Sequence, residues 1–80
     1  MVKTAKQGQR YKARIEVSFL KRAFATPVVI AGKLRDAGFA DVVVQRGDDA
    51  GVYWAWGTWP NADAEAELPD EIVSVEEVAP

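Results

Sequence analysis

The 80-residue chain contains no cysteine and no histidine. The first absence excludes disulfides and thiolate metal sites. The second removes the side chain that most often serves as a general base near neutral pH. The hydroxyl groups of Ser18, Thr26, Thr58 and Ser74 therefore have no histidine to activate them, and the acidic residues fall in turns or solvated runs. We expect no enzymatic activity, no cofactor and no metal site.

Long apolar segments are also missing. No hydrophobic run approaches the ~20 residues that a membrane helix requires. The basic N-terminus, MVKTAKQGQR, is not followed by a hydrophobic segment of the signal-peptide type. We therefore expect a protein without a signal peptide or membrane contact, located in the cytoplasm or within an assembled particle.

Basic residues are absent from the second half of the chain. Residues 1–46 contain all ten lysines and arginines against three acids, a balance of +7, whereas residues 47–80 contain nine acids and no base. Two arrangements are open: the halves lie side by side and neutralise each other, or the folded surface keeps a positive and a negative pole.

The pattern of apolar residues predicts a flexible basic arm over residues 1–9 and a single compact domain over 10–78. Alternation from Arg10 to Phe19 predicts a half-buried strand, with the odd-numbered side chains facing the core. A helix is predicted over 27–37, because Thr26 is a good N-cap and Gly38 suits a left-handed C-terminal position.

The rest of the chain predicts a hairpin with arms at 41–46 and 52–59, a short helix at 62–67 and a last strand at 71–78. The resulting order, β-α-β-β-(short α)-β, predicts a ferredoxin-like α+β fold. This fold has one antiparallel sheet with helices on one face, and its first strand lies between the third and the last.

All three tryptophans lie in the stretch GVYWAWGTW, at positions 54, 56 and 59. Two indoles under one short helix would overfill the core, whereas Ala55 and Gly57 would let the helix approach the sheet. We therefore expect Trp54 and Trp56 on the open side of the sheet. Arg10, Lys12 and Arg14 of the neighbouring strand are expected beside them.

This arrangement has two interpretations. Exposed aromatic groups beside cations are typical of a contact surface, and tryptophan and arginine are enriched at interface hot spots. Alternatively, the indoles lie flat under the stems of Lys12 and Arg14 and form cation–π contacts that cover an otherwise bare sheet. Trp59, at the end of its strand, is expected to cap the core.

Three segments of the chain form a recurring pattern: a strand ending in Ser18-Phe19, a helix closing in Leu34-Arg35-Asp36-Ala37-Gly38-Phe39, and a strand from Tyr53 to Trp59 that ends in glycine plus an aromatic residue. In this order they resemble the SPOR domain, a small module that binds peptidoglycan glycan strands. The resemblance covers residues 15–59. It implies a ferredoxin-like fold and a glycan partner on the open sheet face.

The composition favours a non-catalytic assembly module that docks on a protein partner or on copies of itself. Such a module would suit a small structural component of a larger particle, for example a phage virion. We predict Trp54, Trp56, Arg10, Lys12 and Arg14 as its partner-binding residues. The alternatives are a single-stranded nucleic-acid-binding module, with bases stacked on the indoles, and SPOR-like glycan binding.

Overall fold

The computed structural model describes residues 1–79, which form two antiparallel sheets, one α-helix and a 3₁₀ turn. The strands are β1 (Val2–Ala5), β2 (Arg10–Glu16), β3 (Ala40–Arg46), β4 (Val52–Thr58), β5 (Ala64–Glu67) and β6 (Ile72–Val78). The 3₁₀ turn spans Phe19–Lys21, and the helix α1 spans Pro27–Asp36. Strands β1 and β5 form a two-stranded ribbon, and the larger sheet has the order β3-β4-β2-β6.

The larger sheet is built around β2, which pairs with β4 on one side and β6 on the other. This central position is the one predicted for the first strand of the domain. The β3–β4 hairpin and strand β6 also form within a residue or two of their predicted bounds. Their β-branched and aromatic residues suit a pleated, half-buried surface.

Both ends of α1 form as predicted. The Thr26 side chain accepts a hydrogen bond from the Val29 N–H at 3.3 Å, and Pro27 occupies the first turn. At the other end, Phe39 N–H donates to the Leu34 carbonyl and Gly38 N–H donates to the Arg35 carbonyl, with Gly38 at φ +116°. These two bonds make a Schellman ending, which directs the chain into β3.

The core lies between one face of the larger sheet and a layer made of α1 and the β1–β5 ribbon. The sheet contributes Ala13, Ile15, Tyr53, Ala55 and Ile72, among others, and the covering layer contributes Ala5, Ile30, Leu34, Ala66 and Leu68. At one end of the core, Phe39 makes edge-to-face contacts with Tyr11 at 6.2 Å and with Trp59 at 5.1 Å between ring centroids. Trp59 is buried and caps the core, as expected.

The predicted fold class, a ferredoxin-like α+β fold with one sheet and helices on one face, is wrong. The described chain is mainly β, and the stretch predicted as a short helix at 62–67 contains strand β5 instead. Its partner β1 lies within the stretch predicted as a flexible arm, residues 1–9. A six-residue helix is too short to be stable alone, whereas pairing with β1 satisfies the backbone and buries Ala66.

The prediction that Phe19 faces the core is also wrong, since its side chain is 79% exposed. Strand β2 ends at Glu16, and after the buried Val17 the chain turns into the 3₁₀ turn. Alternation therefore stops before Phe19.

Within residues 1–79, no helix has the length and apolar character needed to cross a membrane.

Candidate functional site

The candidate site is the face of the larger sheet that points away from α1, called here the open face. No element formed by residues 1–79 packs over it. The strand register arranges its central side chains in two cross-strand rows, Val43–Trp56–Lys12–Glu76 and Gln45–Trp54–Arg14–Ser74. Directly opposed residues in a sheet lie close enough for their side chains to interact, so each row is a continuous strip.

The side chains of strand β4 alternate between the core side and the open face in the way that the residue sizes predicted. Tyr53, Ala55 and Gly57 are buried on the core side, whereas Trp54 and Trp56 are half-buried on the open face. A β-carbon at Gly57 would lie 3.2 Å from the Phe39 Cβ, which shows how closely the chain after α1 approaches the sheet there. The two indoles therefore stand outside the packed core.

Cations of β2 cover these indoles. The Lys12 Nζ lies 4.6 Å from the Trp54 ring centroid and 5.6 Å from that of Trp56, and the Arg14 Cζ lies 5.4 Å from the Trp54 ring. At exposed sites such contacts contribute about 0.5–1 kcal/mol each. These contacts orient the ring faces toward Lys12 and Arg14.

Arg10 lies on the same face but is engaged elsewhere. Its Nη1 donates to the Thr58 Oγ1 at 2.9 Å and to the Asp41 carbonyl oxygen at 3.2 Å. The guanidinium thereby links β2 across β4 to the bulge in β3, where Asp41 has φ +51°. Of the five predicted partner-binding residues, the structure brings four into one cluster and places Arg10 at its border.

The charges of the open face are only partly neutralised. Arg14 pairs with Glu16 at 3.1 Å, and Lys12 forms no ion pair with another residue of the described chain, although Glu76 is its neighbour in the register. Between the basic and acidic halves, only the pairs Lys6–Glu77 and Lys21–Glu71 join charged side chains among residues 1–79. Most of the charge of each half therefore remains available at the surface.

A second surface was missed by the sequence interpretation. Four bulky apolar side chains around the 3₁₀ turn and the start of α1 are more than three-quarters exposed, namely Phe19, Leu20, Phe24 and Val28. The segment FLKRAFATPVV carried the signal: its apolar residues fit neither a strand nor one helix face, and Lys21 and Arg22 interrupt them.

The described residues 1–79 contain no group of three or more acidic side chains placed to hold a metal ion. Comparisons of the chain with models of known protein families, with curated proteins and with solved structures find no match.

Proposed function

We propose that this protein is a non-catalytic assembly module that binds a protein surface, either a partner or another copy of itself, through the open face. The observation that carries the proposal is the position of Trp54 and Trp56, half-buried outside the core beside Lys12 and Arg14. Tryptophan and arginine dominate the residues whose removal weakens protein interfaces most.

The contacts of the indoles favour a protein over a nucleic acid. Nucleobases bind such platforms by stacking on aromatic ring faces. Here Lys12 and Arg14 already lie over the faces of the indoles, so a stacked base would have to displace them. A protein partner can use the ring edges and the aliphatic stems and leave the cation–π contacts in place.

Acidic groups on the same face support this choice. Glu76 follows Lys12 in its cross-strand row, and Glu16 pairs with Arg14. Alternating charge of this kind attracts a continuous phosphate backbone less than an all-basic strip does, but it suits a partner surface with its own mixed charges. The resemblance to the SPOR domain leaves glycan strands as an alternative ligand of the same indoles.

The test compares wild type with the double variant Trp54→Ala/Trp56→Ala by sedimentation velocity over a range of concentrations. We expect concentration-dependent association of the wild type and at least a tenfold weaker association of the double variant, equivalent to about 1.4 kcal/mol. The matched control, Phe19→Ala/Phe24→Ala, replaces two aromatic side chains on another surface, and it should associate as wild type does.

Two further titrations complete the test. Iodide should quench the tryptophan emission of the dilute wild type, and oligothymidylate or glycan fragments should quench it little. Emission that iodide cannot quench would contradict the proposal, and wild type and double variant that behave alike in sedimentation would exclude self-association through the open face. If the oligonucleotide instead quenches the tryptophan emission, and this quenching falls steeply as the salt concentration rises, the open face binds nucleic acid.

A further inference from the structure

An apolar groove lies on the opposite side of the larger sheet from the open face. Its lining includes Phe24 and Val29, Glu71 and Ile72 near the start of β6, and the buried Ile15. The groove has a volume of about 210 Å³. This volume greatly exceeds the ~30 Å³ occupied by one water molecule, so the groove can admit bulky side chains.

Four large apolar residues in and next to the groove segment of the chain are exposed. Phe24 is 77% exposed, Phe19 79%, Leu20 86% and Val28 79%. Aromatic side chains offer about 150–250 Å² each, so the two phenylalanines alone expose on the order of 300 Å². Leu20 and Val28 add to this exposed apolar area, and apolar patches of ~300–600 Å² on typical monomers often mark a functional contact.

The charges around the groove are mainly positive. Lys21 and Lys33 line it, and the next residue, Arg22, donates from Nε to the carbonyl of the lining residue Val17 at 3.4 Å and has its guanidinium over the Phe19 ring at 5.6 Å. The one acid in the lining, Glu71, pairs with Lys21 at 3.6 Å. A hydrogen bond from its own backbone, together with Lys21 and Lys33, holds the pKa of the Glu71 carboxyl below its usual value, so this group is ionised at neutral pH.

The lining also determines the form of an occupant. The walls are mainly apolar side chains and offer few hydrogen-bonding partners to a bound backbone. An occupant must therefore satisfy its own N–H and C=O groups, as an α-helix does. A second copy of the chain fits less well, since its acidic half exposes only Val73 among large apolar residues of the described chain.

We propose that this groove binds an acidic amphipathic helix of a partner protein, with its bulky apolar side chains in the groove and its carboxylates against Lys21, Arg22 and Lys33. The inference is independent of the open face, because the two surfaces lie on opposite sides of the sheet. An assembly module with both surfaces would connect two different neighbours.

The probe is a fluorescein-labelled peptide of about 18 residues, or five helical turns. Leucine and phenylalanine occupy positions i, i+3, i+4 and i+7, and glutamate and alanine occupy the rest. A second peptide has lysine in place of every glutamate. Fluorescence anisotropy against the full chain should give micromolar binding of the acidic peptide and at least tenfold weaker binding of the basic one.

Variants locate the binding. Phe24→Ser should lower the affinity for the acidic peptide at least tenfold. Lys33→Glu should lower the affinity for the acidic peptide and raise the affinity for the basic one. The matched control Val43→Ser changes an apolar residue that is 45% exposed on the open face and should have no effect. Trp54→Ala/Trp56→Ala should also leave the peptide affinity unchanged, which separates this test from that of the open face.

Chemical-shift mapping with ¹⁵N-labelled protein gives the second readout. The acidic peptide should shift the amide signals of residues 19–34 and 69–72. Absence of binding, equal binding of both peptides, a Phe24→Ser variant that binds as wild type, or shifts confined to the open face would each overturn the proposal. Binding to phosphatidylserine vesicles without binding to the peptide would overturn it in favour of a lipid surface.

Discussion

At the scale of the residue, Gly38 links the end of α1 to the packing of Trp59. Its φ of +116° lies in the region that residues with a side chain rarely adopt. A β-carbon at this position would lie 2.8 Å from the Trp59 Cη2 and Cζ3 atoms. Trp59 in turn contacts Phe39 and donates from its indole N–H to the Ala62 carbonyl at 2.9 Å. Two features therefore require glycine at position 38: the positive φ of the backbone and the close approach of the Trp59 ring.

We expect Gly38→Ala to lower the free energy of unfolding by about 1–3 kcal/mol, since backbone strain and overpacking add. Urea denaturation followed by tryptophan fluorescence measures the change. The matched control is Gly32→Ala inside α1, where an added β-carbon meets no atom within 4 Å other than those of its chain neighbours and the surrounding helix backbone. That variant should be neutral or up to about 1 kcal/mol more stable. Equal effects of the two variants would contradict the role given to Gly38.

At the scale of the element, the β1–β5 ribbon is the part of the fold that replaces the predicted second helix. Ala5 is fully buried and Ala66 nearly so, while Thr4 and Glu65 on the other face of the ribbon are exposed. The N-terminal amine extends the ribbon by donating to the Leu68 carbonyl at 3.1 Å. The ribbon therefore closes the core through a few small side chains.

We expect Ala5→Asn to cost about 2–3 kcal/mol in the free energy of unfolding, because a polar and larger side chain would enter a filled site. Thr4→Asn places the same side chain one residue away on the exposed face and should change stability by less than about 0.5 kcal/mol. Thermal unfolding followed by circular dichroism compares the two. Similar losses at both positions would show that the ribbon does not pack as described.

The ribbon also shows which elements could not be predicted from the sequence. Helix α1, strand β2 up to Glu16 and the β3–β4 hairpin carry their own local signals, such as Thr26 as a cap and the alternation of β4, and these predictions are confirmed. Strand β5 has a weak pattern, AEAE, and forms by pairing with β1 some sixty residues earlier, Ala5 opposite Ala64. Long-range pairing of this kind leaves little trace in either segment.

In the candidate site, too, some features could be predicted from the sequence and others could not. The side of the sheet taken by Trp54 and Trp56 followed from residue size, since Ala55 and Gly57 are small enough to lie under the covering layer, and Tyr53 is buried on that same side. The engagement of Arg10 with Thr58 depends on cross-strand register, and the exposure of Phe19 depends on where β2 ends. Neither can be read from local periodicity.

At the scale of the whole molecule, the uneven charge contributes little to the stability of the fold. No charged or polar residue of the described chain is buried, and the core consists of apolar side chains. The ion pairs lie at the surface, as in Lys6–Glu77, where the two side chains are 61% and 50% exposed. Surface pairs of this kind contribute about 0–1 kcal/mol each.

This distribution predicts that salt changes the stability of the fold little but weakens binding to the groove. Raising sodium chloride from about 0.05 M to about 0.5 M shortens the screening length from roughly 14 Å to 4 Å. We expect the free energy of unfolding to change by less than about 1 kcal/mol, because few pairs at the surface are lost. Binding of the acidic peptide to the groove, which depends on Lys21 and Lys33, should weaken over the same range. Urea denaturation and anisotropy at each salt concentration measure the two quantities. A loss of several kcal/mol in the unfolding free energy would instead show that attraction between the basic and acidic halves holds the fold together.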